Sequence, residues 1–349
     1  MKQSAAPAAP ANPPTARPRA SRGVAVVVLA GLILAAVTIA SIGLGARDIS
    51  PLDVVRIVLH PGAEGYNSDV LWTERIPRTF LGLAVGAALG ASGLIMQALT
   101  MNPLAEPGIL GVQQGAAMFV VLGILFLDVS GVQGYFWMAL TGSAVTAVLV
   151  YLIGTRTNAG SSTIGLVLAG VAVAAVMSSV ITLLVVRDEA VYAHLRFWSV
   201  GQLTGRGQFL GQIAPFAIAG LLLALPFGRT LNLLSLGDET ARGLGIRVER
   251  SRLASAAVAV LLCAAATAAV GPVAFVGLVA AHSARMLVGA DHRWSLPLSM
   301  VCGAVLLVGA DTAGRLVIDH GEIQVSVMTA LVGTPFFVWL ARRRDLVRM

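Results

Sequence analysis

The fold of this chain is decided by residues Arg75–Ala116, which read RIPRTFLGLAVGAALGASGLIMQALTMNPLAEPGILGVQQGA. Two arginines flank a proline at its start, and more than twenty uncharged residues follow before Asn102, Pro103 and Pro107 interrupt the run. A run of this length and apolarity is typical of a helix that crosses a bilayer, because about 20 such residues span the hydrocarbon core. The stretch therefore predicts one membrane-spanning helix, a break and a second apolar run.

Three glycines within this helix, Gly82, Gly86 and Gly90, are spaced four residues apart and therefore share one helix face. Small residues at this spacing allow the backbone of a neighbouring helix to approach closely. The pattern predicts an inner helix that packs against other helices. The alternative is that the glycines only reflect the Gly- and Ala-rich composition of the chain.

The composition is that of a polytopic membrane protein. Of the 349 residues, 57% are hydrophobic and 12% are charged, and the mean hydropathy is +0.84, which is too apolar for an ordinary soluble domain. The net charge of +7 does not predict a nucleic-acid partner, because the basic residues lie between apolar runs and form no continuous face. Cys263 and Cys302 lie inside apolar runs, and we interpret them as small core residues.

Ten apolar runs predict an all-α fold with about ten transmembrane helices. Residues 1–22, rich in Ala and Pro, are expected to be a disordered cytoplasmic tail, and residues 23–349 to form the membrane domain. A short surface helix is expected at Leu52–Leu59, and the runs 274–286 and 296–309, which are short for a span, are expected to be tilted or partly re-entrant. The ten runs are Gly23–Ala46, Thr79–Leu99, Ile109–Leu127, Val132–Gly154, Thr163–Val186, Phe209–Phe227, Leu253–Val270, Ala274–Met286, Leu296–Gly309 and Val325–Leu340.

The distribution of basic residues predicts the orientation. With both termini in the cytoplasm, sixteen of the 24 Lys and Arg residues fall in inner segments and eight in outer segments, as the positive-inside rule requires. The longest inner loop, 228–252, has the pattern of a short helix that would expose Leu236, Ala241, Leu244 and Ile246 to a partner surface. The alternative is an amphipathic connector that rests on the bilayer.

Two absences limit what the chain can do on its own. Lys2 is the only lysine, so the chain lacks the P-loop lysine that reaches nucleotide phosphates. The ten runs contain no Asp or Glu, so a proton relay has no obvious parts, although sodium coupling through backbone carbonyls needs no acid. Asp311 and Arg315, spaced i and i+4 just beyond the run 296–309, are expected to pair with each other.

Several stretches resemble, in the same order, the FecCD/BtuC family of ABC-importer permeases, which take up iron-siderophores, haem or vitamin B12. They lie within about 50–344 and read RIPRT, GAALGASGLIMQALTMNPLAEPGILGVQQGA, GDETARGLGI, GPVAFVGLVAAHSARMLVGADHRWSLPLS, ADTAGRLV and VMTALVGTPFF. The resemblance implies a type II importer in the bacterial plasma membrane. Its parts would be two permease subunits, identical or paralogous, two cytoplasmic ABC ATPase subunits and an extracytoplasmic binding protein.

The cargo implied first is an iron-siderophore complex, with haem and vitamin B12 as alternatives. No enzymatic activity and no cofactor are implied for the permease itself. The alternative from another class is a secondary transporter that works without an ATPase.

The resemblance also implies roles for particular residues. Arg75, Arg78 and Arg315 would be exposed on the outer face and meet glutamates of the binding protein, the alternative being that they anchor helix ends to lipid headgroups. The segment 236–246 is similar to the family's coupling helix, with ATPase contacts from Leu236, Asp238, Glu239, Ala241, Arg242, Gly243 and Gly245. Candidates for the translocation path are Ser92, Gln97, Thr100, Asn102, Gln113 and Gln114. Hydrogen bonds within one subunit are the alternative for each of these polar residues.

The chain departs from the family pattern at a few positions. Gln113 and Gln114 stand where small hydroxyl residues are common, and their size is expected to tune the ligand path. Ala281 replaces a proline before His282, which we interpret as a hydrogen-bonded packing residue and not as an iron ligand. Gln324 replaces a proline near the start of the last helix, which predicts a less sharply fixed helix start.

Overall fold

The structure, a computed structural model, describes residues 20–45, 49–60, 65–129, 131–156, 163–318 and 321–342. These residues form α-helices, with a π-helical segment at Val70–Arg75 and 3-10 helices at Pro107–Leu110 and Gly207–Phe209. They contain no β-strand, so the all-α prediction is confirmed. The helices are α1 (Ala20–Gly43), α2 (Pro51–Leu59), α3 (Tyr66–Asp69), α4 (Ile76–Thr100), α5 (Val112–Leu127), α6 (Val132–Arg156), α7 (Thr163–Arg187), α8 (Glu189–Ser199), α9 (Leu210–Ala224), α10 (Phe227–Leu234), α11 (Asp238–Gly243), α12 (Val248–Val270), α13 (Val276–Val288), α14 (His292–Leu316) and α15 (Val325–Arg342).

Seven candidate membrane spans and three shorter apolar helices of the described chain correspond to the prediction of about ten transmembrane helices. Seven segments of the described chain are long and apolar enough to cross a membrane, namely Gly23–Gly43, Tyr66–Thr100, Gln133–Arg156, Gly165–Arg187, Gly207–Ala224, Val248–Val270 and His292–Leu316. Three shorter apolar helices, Val112–Leu127, Val276–Val288 and Val325–Leu340, complete the ten within that part. Each of the ten corresponds to one apolar run of the sequence.

Helix α4 lies at the centre of the bundle. In its most apolar part 78% of the residues are buried, whereas none is buried in the corresponding part of α1. Its glycine face packs on α14, because a Cβ atom at Gly86 would lie only 2.5 Å from the backbone oxygen of Gly303, and one at Gly90 would overlap that of Ser299. A Cβ at Gly82 would meet the side chain of Val308 at 3.0 Å. The predicted packing role is therefore supported by direct backbone contact at Gly86 and Gly90 and by side-chain contact at Gly82.

Helices α4 and α14 are antiparallel, since the order of contacts along one runs against the order along the other. This antiparallel pairing allows the two ends of the bundle to be distinguished. The start of α4 and the end of α14 form what we call the arginine end. The opposite end carries α10 and α11, where the amide of Asn232 is hydrogen-bonded to the start of α14, and we call it the loop end.

The extent of α14 corrects the sequence prediction. The run 296–309 was expected to be a short span, but α14 has 25 residues and includes both Asp311 and Arg315. The run 296–309 itself contains no acidic residue, but the helix that includes it does, so the expectation that the spans lack acids is wrong here. The helix continues through the charged positions because Asp311 is paired with two arginines, one of them on α4, which compensates its burial.

Helix α13 is short, as predicted, with 13 residues. Gly277 near its start packs on the backbone of Leu89 and Gly93, about halfway along α4, so α13 begins deep in the bundle and not at its surface. The expected surface helix is also present, as α2. Helix α1 begins at Ala20, and residues 1–19, most of the predicted tail, lie outside the described residues, so the division at residue 22 stays a prediction.

Candidate functional site

Three arginines, Arg75, Arg78 and Arg315, lie together at the arginine end, and we call them the arginine cluster. All three are buried within the chain, which contradicts the expectation that they are exposed. Arg78 donates from Nε and Nη2 to the carboxylate of Asp311 at 3.0 and 2.8 Å, and from Nη1 to Oε2 of Glu322 at 2.9 Å. Such a two-point arginine–carboxylate pair fixes both side chains in place.

The other two arginines fasten α1 to the bundle. Arg75 donates from Nη1 to the backbone oxygens of Ile42 and Gly43 at 3.2 and 2.8 Å. Arg315 donates from Nη2 to the hydroxyl of Ser41 at 2.8 Å and pairs with Asp311 at 3.3 Å, which confirms the predicted i, i+4 pair. The arginine cluster thus combines three cations with the carboxylates of Asp311 and Glu322. The sequence predicted exposed arginines because these partners lie in distant segments of the chain.

Glu322, which precedes α15, is the more accessible carboxylate of this network. Its side chain is 29% exposed, against 3% for that of Asp311. Burial favours its neutral form, but a 2.6 Å hydrogen bond from the Thr204 hydroxyl and the charges of Arg78 and Arg315 outweigh burial and hold the pKa of Glu322 below its usual value. The sequence analysis did not identify Glu322 as part of the site. The only indication in the sequence is that an acidic residue lies about one turn before an apolar helix.

At the loop end, α11 follows Gly237, which adopts a φ of 93°, and is closed by Gly245, with a φ of 85°. Both values favour glycine, so the short helix is framed by two tight backbone turns. Leu236 and Leu244 beside it are 56% and 58% exposed. Two apolar side chains therefore project from the loop end, as expected of a surface that lacks its partner.

Three other residues of the predicted coupling segment, Asp238, Ala241 and Arg242, make contacts within the chain. Ala241 is fully buried in the hydrophobic core, which contradicts its expected exposure, because the six-residue α11 packs that face onto its own subunit. Asp238 accepts two hydrogen bonds from Arg252 at 2.8 and 3.1 Å, and Arg242 pairs with Glu249 at 2.7 Å. Gly243 ends the helix, and Glu239 is exposed on it.

The six polar residues predicted for a translocation path do not converge on one site. Within α4, Ser92 is buried and donates to the backbone oxygen of Ala259, and Gln97 is buried and accepts from Arg285. Both bonds join helices of one subunit. The predicted alternative, internal hydrogen bonding, therefore describes these two residues in this conformation.

The remaining four polar residues lie on or after the last turn of α4 and at the start of α5. Thr100 donates to the backbone oxygen of Met96, and Asn102 accepts from the backbone N–H of Leu104. Gln113 and Gln114 lie in the first turn of α5 and are partly exposed. This group is the more accessible part of the predicted path.

Glu106 is a second acid that sequence reasoning passed over. It lies between α4 and α5, and its carboxylate accepts a 2.9 Å hydrogen bond from the backbone N–H of Phe275 at the start of α13. Phe275 has a φ of 69°, unusual for a residue with a side chain, and its ring packs on Gly333 of α15. Glu106 thus connects the break after α4 to α13 and, through Phe275, to α15.

His282 is buried on α13 and packs edge-on against Phe336. Neither ring nitrogen has a hydrogen-bond partner, so the packing role expected for His282 is supported and its expected hydrogen bond is not. Within the described ranges, no group of three His, Cys, Asp or Glu residues could hold a metal ion.

A bundle of ten apolar helices, with a buried charge network at one end and a short helix with exposed leucines at the other, is that of a polytopic membrane protein. The chain belongs to the FecCD transport family, whose sequence pattern matches residues 32–343. The resemblance found in the sequence is confirmed. The chain is thus a transport subunit of the ABC-importer permease type.

Individual relatives agree with this assignment. The ferric enterobactin transport system permease protein of Escherichia coli (strain K12) is 41% identical over 90% of this chain and 93% of its own length. A siderophore transport system permease protein of Bacillus subtilis (strain 168), named as probable, is 42% identical over 80% of this chain and 84% of its own. A solved structure of an ABC transporter in an inward-facing conformation is 29% identical, has a TM-score of 0.80, and matches 92% of this chain and 99% of its own length.

Proposed function

We propose that this chain is the permease subunit of an importer that takes up an iron-siderophore complex. A binding protein outside the membrane delivers the complex, and two separate cytoplasmic ATPase subunits supply the energy. The observation that carries the proposal is the similarity, over most of both chains, to permeases named for ferric enterobactin and siderophore transport. Relatives named for hemin and cobalamin transport keep those two cargoes as alternatives.

The arginine cluster is the proposed docking site for the binding protein, on the outer side of the membrane. Because Arg78 is already paired with two carboxylates, a docking glutamate has to replace one of them. Glu322 is the one to be replaced, since its side chain is 29% exposed and it holds Arg78 through one hydrogen bond, whereas Asp311 is enclosed and holds it through two. Exchange of one carboxylate for another preserves the charge balance of the buried network.

This mechanism makes Glu322 a competitor of the binding protein, which a binding measurement can test. Glu322→Gln removes the negative charge that holds Nη1 of Arg78, and we expect it to tighten docking in reconstituted membranes about tenfold, equivalent to about 1.4 kcal/mol. Arg56→Gln, which changes an exposed arginine on α2, is the control and leaves docking unchanged. Weaker docking of Glu322→Gln would instead make Glu322 part of the attractive surface.

Helix α11 is the proposed contact to the ATPase subunit, on the cytoplasmic side. The exposed side chains of Leu236 and Leu244 supply the apolar part of this contact, with Glu239 and Arg242 at its rim. Asp238 and Ala241 hold the helix in position through contacts within the subunit, and Gly237 and Gly245 form the turns at its two ends. Leu236→Asp or Leu244→Asp is expected to prevent the ATPase from co-purifying with the permease, because each places a charge in a contact that must exclude water.

The translocation path is proposed to run between two permease subunits, identical or paralogous. The accessible polar residues Thr100, Asn102, Gln113 and Gln114 are the parts of this chain best placed to line it. Ser92 and Gln97 are enclosed within one subunit, and they can contribute only if helices separate during the transport cycle.

The test of the whole proposal is uptake by proteoliposomes that contain the permease, the ATPase subunits and the cognate binding protein. We expect accumulation of a ferric siderophore to require ATP and all three components, with haem and cobalamin tested in parallel as alternative cargoes. Uphill uptake by the permease alone would refute the ABC mechanism and favour a secondary transporter. ATP-dependent uptake of haem or cobalamin alone would keep the mechanism and change the cargo.

A further inference from the structure

Two adjoining cavities lie between α4, α6, α7 and α12, and Thr100 of the proposed translocation path lines the smaller one. The larger has a volume of about 370 Å³ and the smaller of about 100 Å³. They have Leu110, Tyr151, Leu166, Leu253 and Ala256 in common, so they form one continuous depression, which we call the α12 groove.

The two ends of the α12 groove differ in polarity. Apart from Tyr151, the larger cavity is lined by aliphatic side chains such as Val148 and Val260. At the smaller cavity, Thr155 and Arg252 add polar groups to the wall. The groove therefore has an apolar body and a polar mouth, and the mouth lies at the loop end.

The length of the α12 groove matches one leaflet of a membrane. Between Leu253 and Ala264, both of which line it, a helix rises about 16 Å. Half of a hydrocarbon core about 30 Å thick is about 15 Å. An extended acyl chain that lay along α12 would thus reach from the level of the headgroups to the middle of the bilayer.

Arg252, at the mouth, has an unsatisfied hydrogen-bond donor. Its Nη1 and Nη2 atoms donate to Asp238, the first residue of α11, but its buried Nε has no acceptor. The other charged residue of the mouth, Glu249, is paired with Arg242 at 2.7 Å. Nε is enclosed in this conformation, so a phosphate oxygen satisfies it once the Arg252 side chain turns towards the mouth. Arginine donors form strong hydrogen bonds with phosphate.

We propose that the α12 groove binds an anionic phospholipid of the leaflet at the loop end. One acyl chain lies in the apolar body along α12, and the phosphate accepts a hydrogen bond from Nε of Arg252. Because the same guanidinium group holds Asp238, the bound lipid and α11 share one side chain. Lipid binding at this groove therefore stabilises the position of α11, whatever cargo the permease carries.

The experiment is native mass spectrometry of the purified full-length chain, titrated with phosphatidylglycerol or phosphatidylcholine in detergent. We expect tighter binding of phosphatidylglycerol, and a loss of about tenfold in its affinity in Arg252→Gln, as for a lost charge-assisted hydrogen bond. Arg252→Lys keeps the charge without Nε and is expected to lose most of the same preference. Arg250→Gln, an exposed arginine two residues away on α12, is the matched control and keeps the wild-type preference.

A second variant tests the apolar body independently of Arg252. Ala256→Trp fills the groove and is expected to reduce binding of both lipids. Equal affinity for the two lipids in the wild type, or an unchanged preference in both Arg252 variants, would overturn the proposal. A third result would also overturn it: Ala256→Trp leaves lipid binding unchanged and weakens dimer formation. That result would mean that a second permease subunit, and not a lipid, covers the groove.

Discussion

Asp311→Asn tests the buried charge network at the arginine end. The substitution keeps the size of the side chain and removes the negative charge that lies between Arg78 and Arg315. Breaking a buried ion pair by neutralising one partner costs about 3–5 kcal/mol, because the other charge is left buried without compensation. We expect a value of about 3 kcal/mol, at the lower end of that range, since Arg78 retains Glu322 at 2.9 Å.

Two substitutions calibrate this value. Glu322→Gln removes a carboxylate whose side chain is 29% exposed, and an accessible pair of this kind contributes about 1 kcal/mol or less. Asp53→Asn makes the same chemical change as Asp311→Asn on the exposed face of α2, and it should leave stability unchanged within about 0.5 kcal/mol.

The assay is equilibrium unfolding of the purified chain in mixed micelles, followed by tryptophan fluorescence. Asp311→Asn is expected to lower the free energy of unfolding by about 2 kcal/mol more than Glu322→Gln does. Equal effects of the two substitutions would refute the reasoning, because they would mean that burial does not raise the cost of losing the Asp311 charge. A double-mutant cycle of Arg78→Gln with Asp311→Asn then measures the coupling between these two side chains.

Three further outcomes follow from the structure. Gly86→Val is expected to prevent stable folding, since its Cβ would lie 2.5 Å from the Gly303 oxygen, and yield of folded protein after purification measures this. Gly245→Val, at a φ of 85°, is expected to leave the bundle folded but to reduce uptake relative to ATP hydrolysed in proteoliposomes. The charge of Glu322, whose pKa is lowered in the folded chain, stabilises the fold in full above its ordinary pKa of 4.5. This stabilisation is lost as the pH falls through the lower pKa of the folded state. Unfolding of the wild type and of Glu322→Gln from pH 7 to 3 measures the loss.

Each of these outcomes has a control. Gly31→Val changes a helical glycine of α1 with no atom near its Cβ position, so folding yield should not change, and a loss equal to that of Gly86→Val would contradict the packing argument. Gly211→Val changes an uncrowded glycine of α9, and normal coupling in both this variant and Gly245→Val would remove the case for the α11 turn. A difference between wild type and Glu322→Gln that shrinks already between pH 7 and 5 would contradict the lowered pKa of Glu322.

Much of the fold could be predicted from local features of the chain. Each of the ten apolar runs became a helix, because the length and apolarity of a segment are sufficient to favour a spanning helix. The spacing of Gly82, Gly86 and Gly90 predicted a close helix contact, since residues four apart share a face whatever the partner is. The pairing of Asp311 with Arg315 was predictable for the same reason.

The partners of the charged residues could not be predicted in this way. Arg78 and Asp311 are 233 positions apart, and nothing in their spacing indicates that α4 and α14 bring them together. The arginines of the cluster therefore resembled exposed residues, and α14 resembled a helix that ends before its charges. The burial of Ala241 was missed similarly, because the face of so short a helix as α11 is decided by what it packs against.

The sequence by itself determined the class of this protein: an all-α membrane permease with ten apolar helices, a glycine-lined inner helix and no P-loop lysine of its own. Only the tertiary structure decided which carboxylates neutralise Arg78, how far α14 extends, and where the α12 groove lies. The physical reason is that hydropathy and helical periodicity are properties of neighbouring residues, whereas the cost of a buried charge depends on groups that the fold brings from elsewhere in the chain.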